Sequence, residues 1–249
     1  MATPPLLDIR DVSVSFDGFY ALTDLSIRLL PGELRSIIGP NGAGKTTFLD
    51  VITGKVSPTK GSVSFKGQNI KGLSEQKISR LGIGRKFQTP RVFDQLSVVR
   101  NLELAAAPMK NPLGLVRDSL PKAVKDEVQR LLGYVGLAPY ARRQAGSLSH
   151  GQKQWLAIAM VVAQSPQLLL LDEPVAGLTD EETSRTADLI KSLAGDHTVV
   201  VIEHDMEFIR ELNAPVTVLH QGSVLTEGYL ETVKNDPKVI EVYLGQSQD

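Results

Sequence analysis

Eight consecutive residues, Gly39-Pro40-Asn41-Gly42-Ala43-Gly44-Lys45-Thr46, constrain this chain more than any other feature. The spacing G-x-x-x-x-G-K-S/T lets successive backbone N–H groups turn toward one centre, because glycine accepts conformations closed to other residues. A helix opening at Gly44 aims its positive dipole end at the same point. Lys45 then reaches terminal phosphates, and the Thr46 hydroxyl is placed to ligate Mg²⁺. Such a loop needs a strand before it and a helix after it. Residues 33–38 form a short apolar run, and residues 45–53 read as a helix closed by Gly54. The expected fold class is therefore α/β. Gly39, Asn41, Gly42, Gly44, Lys45, Thr46 and Thr47 form the candidate cradle for a nucleoside triphosphate.

With 249 residues, 42% of them apolar, the chain can bury one large α/β core with room for an insertion. Net charge is −1 with both signs mixed, so no nucleic-acid partner is expected, since that would need a basic stripe. There is no cysteine, which excludes disulfides and thiol chemistry. Residues 1–10 carry two prolines and no signal-peptide pattern. The longest apolar runs, such as 157–163, fall far short of the ~18 residues that span a bilayer. The chain is expected to be soluble when isolated and to reach any membrane through a partner.

Residues 7–16 and 21–30 read as strands joined at Asp17-Gly18, and 62–66 as another with a turn at Gly67. A short helix is expected over 74–81, then a strand over 83–86. From 96 to 148 the pattern turns helical, around 98–107 and 122–133. Pro108, Asn111-Pro112, Gly114 and Pro121 punctuate its middle, so 110–119 is expected to be an exposed loop. Continuous apolar runs at 167–171 and 198–202 are expected of parallel strands covered on both faces. Between them, 180–194 is a helix with Asp180, Glu181 and Glu182 in its first turn. A hairpin over 216–220 and 223–227 and a last helix from Pro237, stopped by Gly245, complete the chain.

The four leucines Leu168 to Leu171 lead into Asp172-Glu173-Pro174. Asp172 at a strand end can hold Mg²⁺ through water, facing Thr46. Glu173 is free to polarise an attacking water. Phosphoryl transfer asks little more than charge neutralisation and an aligned water. Leu148-Ser149-His150-Gly151-Gln152 precedes an apolar helix whose N-terminus would be a second anion site. Gln88 follows the strand at 83–86, and His204 follows the strand at 198–202. His197 and His220 are expected to be structural.

In this order, the phosphate loop, Gln88, Leu148 to Gln152, Leu168 to Pro174 and His204 resemble the ATPase subunit of ABC transporters over nearly the whole chain. The resemblance implies a P-loop NTPase (RecA-like) core with an antiparallel β subdomain and an inserted α-helical subdomain. The core would comprise 1–95 and 149–249, and the insert 96–148. It implies ATP and Mg²⁺ as ligands, with Thr46, Gln88 and Asp172 at the metal. Glu173 would be the base, His204 the switch histidine and Gln88 the γ-phosphate sensor. Ser149, Gly151 and Gln152 would touch the nucleotide held by an opposite subunit. The family places an aromatic on adenine where Phe16 stands, with Phe19 and Tyr20 as alternatives. Two departures stand out. His150 replaces the usual signature glycine, and Thr179 stands where many members have aspartate, so Thr179 or Asp180 could make the cross-subunit contact.

Further stretches, Gly82-Ile83-Gly84-Arg85-Lys86-Phe87-Gln88, Ser149 to Trp155 and Val239 to Gly245 among them, look like the D-type ATP-binding subunit of bacterial urea importers. That group is a close relative of the branched-chain amino-acid importer ATPases, which supply the alternative substrate. The resemblance implies two membrane subunits, a second and different ATPase, self-pairing as a possibility in isolation, and a solute-binding protein beyond the membrane. The chain would sit peripherally on the cytoplasmic face of the inner membrane, with Val92 and Phe93 either as docking anchors or as packing between insert and core. Chromosome-type ABC ATPases would need coiled-coil heptads between Gln88 and Ser149, and a GTPase would need Asn-Lys-x-Asp; neither is found.

Overall fold

A computed structural model describes residues 3–107 and 120–244. Two sheets carry the fold. Strands β1 (Leu7–Phe16), β2 (Phe19–Leu29), β4 (Lys60–Phe65) and β5 (Gln68–Asn69) form an antiparallel sheet in the order β2-β1-β4-β5. The second sheet runs β10-β9-β3-β8-β7-β6, from β3 (Leu34–Ile38), β6 (Ile83–Lys86), β7 (Leu168–Asp172), β8 (Thr198–Ile202), β9 (Val216–His220) and β10 (Ser223–Gly228). Its strands are parallel except for β10, which pairs antiparallel to β9 at the edge.

The helices are α1 (Lys45–Ile52), α2 (Glu75–Leu81), α3 (Val98–Ala106), α4 (Lys122–Tyr134), α5 (His150–Val162), α6 (Asp180–Leu193), α7 (Met206–Leu212), α8 (Leu230–Val233) and α9 (Pro237–Leu244). Strand residues alternate between sheet faces, and that alternation divides the core. Leu169, Leu171, Val199 and Val201 pack with α3, α4 and α5, through Leu102, Leu131 and Leu156. Leu168, Leu170, Val200 and Ile202 pack instead with Phe48 and Leu49 of α1 and with the antiparallel sheet. All four leucines of β7 are fully buried, as a continuous apolar run in a covered parallel strand requires.

Most expected elements are present within a residue or two. The hairpin is tighter than expected: β2 starts at Phe19, and Asp17 and Gly18 alone turn the chain with φ of 47° and 89°. Helix α7 was not anticipated from sequence. Asp205 caps it by accepting from the Glu207 and Phe208 N–H groups, and Asn213 ends it at φ 49°. Strand β5 and helix α8 were also missed, being two and four residues long. The expected 110–119 loop and the Gly245 stop lie outside the described residues.

Candidate active site

Four loops meet at the carboxyl ends of β3, β8, β7 and β6, which are neighbours in that order. Open parallel sheets bind ligands at this edge. The phosphate loop leaves β3 at Gly39, where a Cβ would lie 2.3 Å from the Leu219 carbonyl oxygen. Gly44 has φ 98°, and a Cβ there would lie 2.7 Å from the Ala21 carbonyl oxygen. The Phe48 N–H donates to the Gly44 carbonyl at 2.8 Å. The N–H groups of Lys45, Thr46 and Thr47 are therefore first-turn donors without helical acceptors. No acid stands in that turn, so the positive helix end is open to an anion.

Lys45 folds back over the loop, its Nζ donating to the Gly39 and Pro40 carbonyls at 2.6 and 2.9 Å. Burial pulls its ammonium below the usual lysine value, while Glu173 and Asp172 pull it back up. Asn41 and Thr46 are exposed, and Thr47 is half-buried.

Asp172 ends β7, and its Oδ2 accepts from Arg85 at 2.8 Å. Glu173 adopts φ 43°, a left-handed conformation that costs a non-glycine residue about 1 kcal/mol or more. Its N–H donates to the Ile202 carbonyl at 3.0 Å. The Gln88 Nε2 donates to Glu173 Oε2 at 2.5 Å, and His204 Nδ1 lies 3.8 Å from Glu173 Oε1. The carboxylate thus stands between Gln88 and His204. Beneath them Glu203 is buried and accepts the Val175 N–H at 3.1 Å and the His204 N–H at 3.0 Å. Burial pushes its carboxyl above the usual range, and these N–H groups pull the other way.

Among the described residues, no three His, Cys, Asp or Glu side chains gather as a metal cage. The available donors are the Thr46 hydroxyl, the Gln88 amide and the Asp172 oxygen not held by Arg85. A few oxygen donors beside a phosphate cradle suit Mg²⁺, which takes the rest of its shell from phosphate and water.

Ser149 caps α5: its Oγ accepts the Gln152 N–H at 3.2 Å, and Gln152 Oε1 accepts the Ser149 N–H at 3.1 Å. A Cβ on Gly151 would lie 2.4 Å from Glu182 Oε1. Glu182 in turn accepts the Thr179 N–H at 3.2 Å. His150 donates through Nε2 to the Ala176 carbonyl at 3.1 Å. The 148–152 turn is therefore braced against the 174–179 loop of its own chain. Thr179 serves as the α6 cap, and Asp180 is exposed.

Phe16, Phe19 and Tyr20 are all exposed at the hairpin tip, next to the β2 segment that abuts Gly44. The structure keeps all three as candidates for adenine. His197 has the expected structural role, its Nδ1 2.5 Å from the Pro166 carbonyl.

Two residues of this edge were not singled out from sequence. Arg85 bridges Asp50 and Asp172 at 2.6 and 2.8 Å. Lys86 is 2% exposed, and burial lowers its ammonium to about 8, against the pull of Asp172, Glu203 and Glu173. The available signal was a pair of cations ending a strand that runs beside the Asp172 strand.

An edge built this way, with phosphate cradle, carboxylate pair and flanking Gln and His, defines a nucleotide-hydrolysing cassette. The model of the ABC transporter family matches residues 22–176. The high-affinity branched-chain amino acid transport ATP-binding protein LivG of Escherichia coli K12 is 37% identical, over 98% of this chain and 99% of that protein. The ADP conformation of MJ1267, an ATP-binding cassette of an ABC transporter, superposes with a TM-score of 0.85 at 29% identity, covering 98% of this chain and 100% of that one. A dimeric post-hydrolysis structure of the cassette MJ0796, bound to ADP and Pi, gives 0.75 at 26% identity over 90% and 98%. The chain belongs to the ABC transporter family, as an ATP-binding subunit with ATPase activity.

Proposed function

We propose that the chain drives an ABC importer for branched-chain amino acids or a related small amino acid or amide. The observation that carries this is its 37% identity to the E. coli branched-chain amino-acid protein across nearly the full length of both. The urea expectation moves to second place, because the relative described above bears a branched-chain amino-acid name. Urea stays as an arm of the test.

In this reading Lys45 and the first-turn N–H groups of α1 bind the ATP phosphates. Thr46, Asp172 and Gln88 hold Mg²⁺, which would neutralise charge on the phosphates. Glu173 orients and deprotonates the attacking water, with Gln88 bonded to its carboxylate and His204 facing it. Ser149, Gly151 and Gln152, directly after the 96–148 insert, face a second ATPase subunit, and the dimeric MJ0796 structure supports such pairing. That second ATPase is a different chain, two integral-membrane subunits complete the transporter, and a solute-binding protein feeds it. The chain works peripherally at the cytoplasmic face. No helix among the described residues is long and apolar enough to cross a membrane.

The test is ATP hydrolysis by the assembled transporter in vesicles, given its binding protein with leucine, isoleucine, valine or urea. Stimulation by the branched-chain amino acids and not by urea is expected. Stimulation by urea alone would restore the other substrate.

A further inference from the structure

Strand β6 reads Ile-Gly-Arg-Lys, and its two cations reach different partners. Arg85 meets the side chains of Asp50 and Asp172. Lys86 meets backbone: its Nζ lies 3.3 Å from the Asp172 carbonyl, 3.3 Å from the Glu173 carbonyl and 3.5 Å from the Gln88 carbonyl. These distances describe one ammonium shared among three acceptors, one at the last residue of β7, one in the loop that follows it and one in the loop after β6. Lys86 pairs in register with Leu171, so it sits beside the end of β7, one residue before Asp172 closes the strand.

Burying an ammonium is costly, and an apolar side chain of similar length would fill the same space without that cost. The structure places this cation under Glu173, the residue of that loop held at φ 43°. An unfavourable conformation persists only where surrounding contacts over-determine it. Here the Ile202 carbonyl grips the Glu173 N–H, and Lys86 grips its carbonyl. Above them, Gln88 donates to the Glu173 carboxylate. The two loops are tied twice, once through side chains and once through Lys86.

We propose that Lys86 is a positioning residue for hydrolysis: its buried ammonium fixes the Gln88 and Glu173 main chains relative to each other and so aims the Glu173 carboxylate. The proposal rests on the role given to Glu173 above. Lys86 touches no nucleotide in this reading, so its loss should act on turnover and not on binding.

The experiment uses the transporter purified with its membrane subunits. Lys86→Met is expected to lower kcat about 10- to 100-fold, the scale of a misplaced catalytic group. The KM for ATP should stay within about 3-fold, the mark of an interaction that matters in the transition state alone. Thermal stability should be equal or higher. A lysine that only holds the fold would lower Tm and weaken ATP binding together with kcat, and that result overturns the proposal. So does an unchanged kcat. Lys86→Met is then added to Glu173→Gln. If Lys86 works through Glu173, the double variant hydrolyses within about 2-fold of Glu173→Gln, because groups acting as a unit are non-additive. An independent further loss overturns the link. Parental hydrolysis by Glu173→Gln alone would remove the Glu173 reading and this proposal with it, whereas a parental Lys86→Met removes this proposal alone. Should Lys86→Met not fold, Lys86→Gln removes the charge but keeps an amide that can donate to a carbonyl, and it faces the same outcomes.

Discussion

The Glu173 carboxylate accepts from Gln88 on one oxygen and faces His204 with the other. Removing its basicity while keeping its size is therefore a clean perturbation. Glu173→Gln should reduce ATP turnover of the assembled transporter by about 10²–10⁴-fold, the usual share of a general base. ATP binding should survive, since the phosphate loop is untouched. Parental turnover would exclude Glu173 as the base. Lys45→Ala makes the complementary change. It removes a charge-assisted contact worth about 1.5–3 kcal/mol, so ATP affinity by calorimetry should fall about 10-fold or more. Unchanged affinity would contradict the phosphate-loop role. Glu203 gives a pH signature. Its native carboxyl holds a proton at higher pH than the unfolded value of 4.5. Its contribution to stability is thus full below that value and is lost as pH rises through the raised native one. Glu203→Gln does not titrate. The parent-minus-variant difference in Tm should therefore fall as pH rises from acid toward neutral, and a rising difference would reverse the assigned sign.

Helix α5 shows how much a local pattern can say about an element. Its start is written in Ser149-His150-Gly151-Gln152, and the structure returns a full capping box there. Ser149→Ala should cost about 0.5–2 kcal/mol, a Tm loss of roughly 2–4 °C per kcal/mol in a chain of this size. Hydrolysis in the assembled transporter should fall further than that stability loss explains. If activity follows Tm alone, Ser149 is only a cap. The buried strands β7 and β8 were equally legible, because unbroken runs of Leu and Val fit few other places. So were Gln88, Asp172, Glu173 and His204, whose convergence follows from neighbouring strands ending at one edge. Beside the short β5 and α8, three things were not legible. Helix α7 is seven residues long, and its cap, Asp205, directly follows a histidine already assigned elsewhere. Arg85 and Lys86 look from sequence like the solvated end of an edge strand. They are buried because Asp50, Asp172 and three carbonyls from other elements meet them. That information is not local. The adenine-facing aromatic also stays undecided, since Phe16, Phe19 and Tyr20 all crowd one two-residue turn.

At the scale of the whole molecule, the sheet separates two large cores, beside a smaller cluster around Ile209 and Val218, and the helical side ends in a displayed aromatic. Val92 packs against the helical cluster, so one of the two expected docking anchors is occupied inside the chain. Phe93 is different: it is 55% exposed, and its backbone is pinned. The buried Asn101 accepts the Phe93 N–H at 2.7 Å and donates to the Phe93 carbonyl at 3.1 Å. A buried amide that orders the main chain of an exposed phenylalanine fits a ring offered to a partner more than a ring left over from packing. Rigid aromatic anchors of this kind carry much of the energy of protein interfaces, about 2 kcal/mol or more each. The membrane subunits are the partner expected beside Gln88. Phe93→Ala should therefore weaken capture of those subunits by roughly 30-fold or more. Tm should stay near the parent's, because half the ring is already in water, and ATP affinity should not change. Capture is measured by titrating tagged chain against detergent-solubilised membrane subunits. Asn101→Ala provides the second arm: it frees the Phe93 backbone without removing the ring, so it should weaken capture by less than Phe93→Ala at temperatures where the helices remain folded. Equal capture by parent and Phe93→Ala would move the docking surface away from the base of the helical insert.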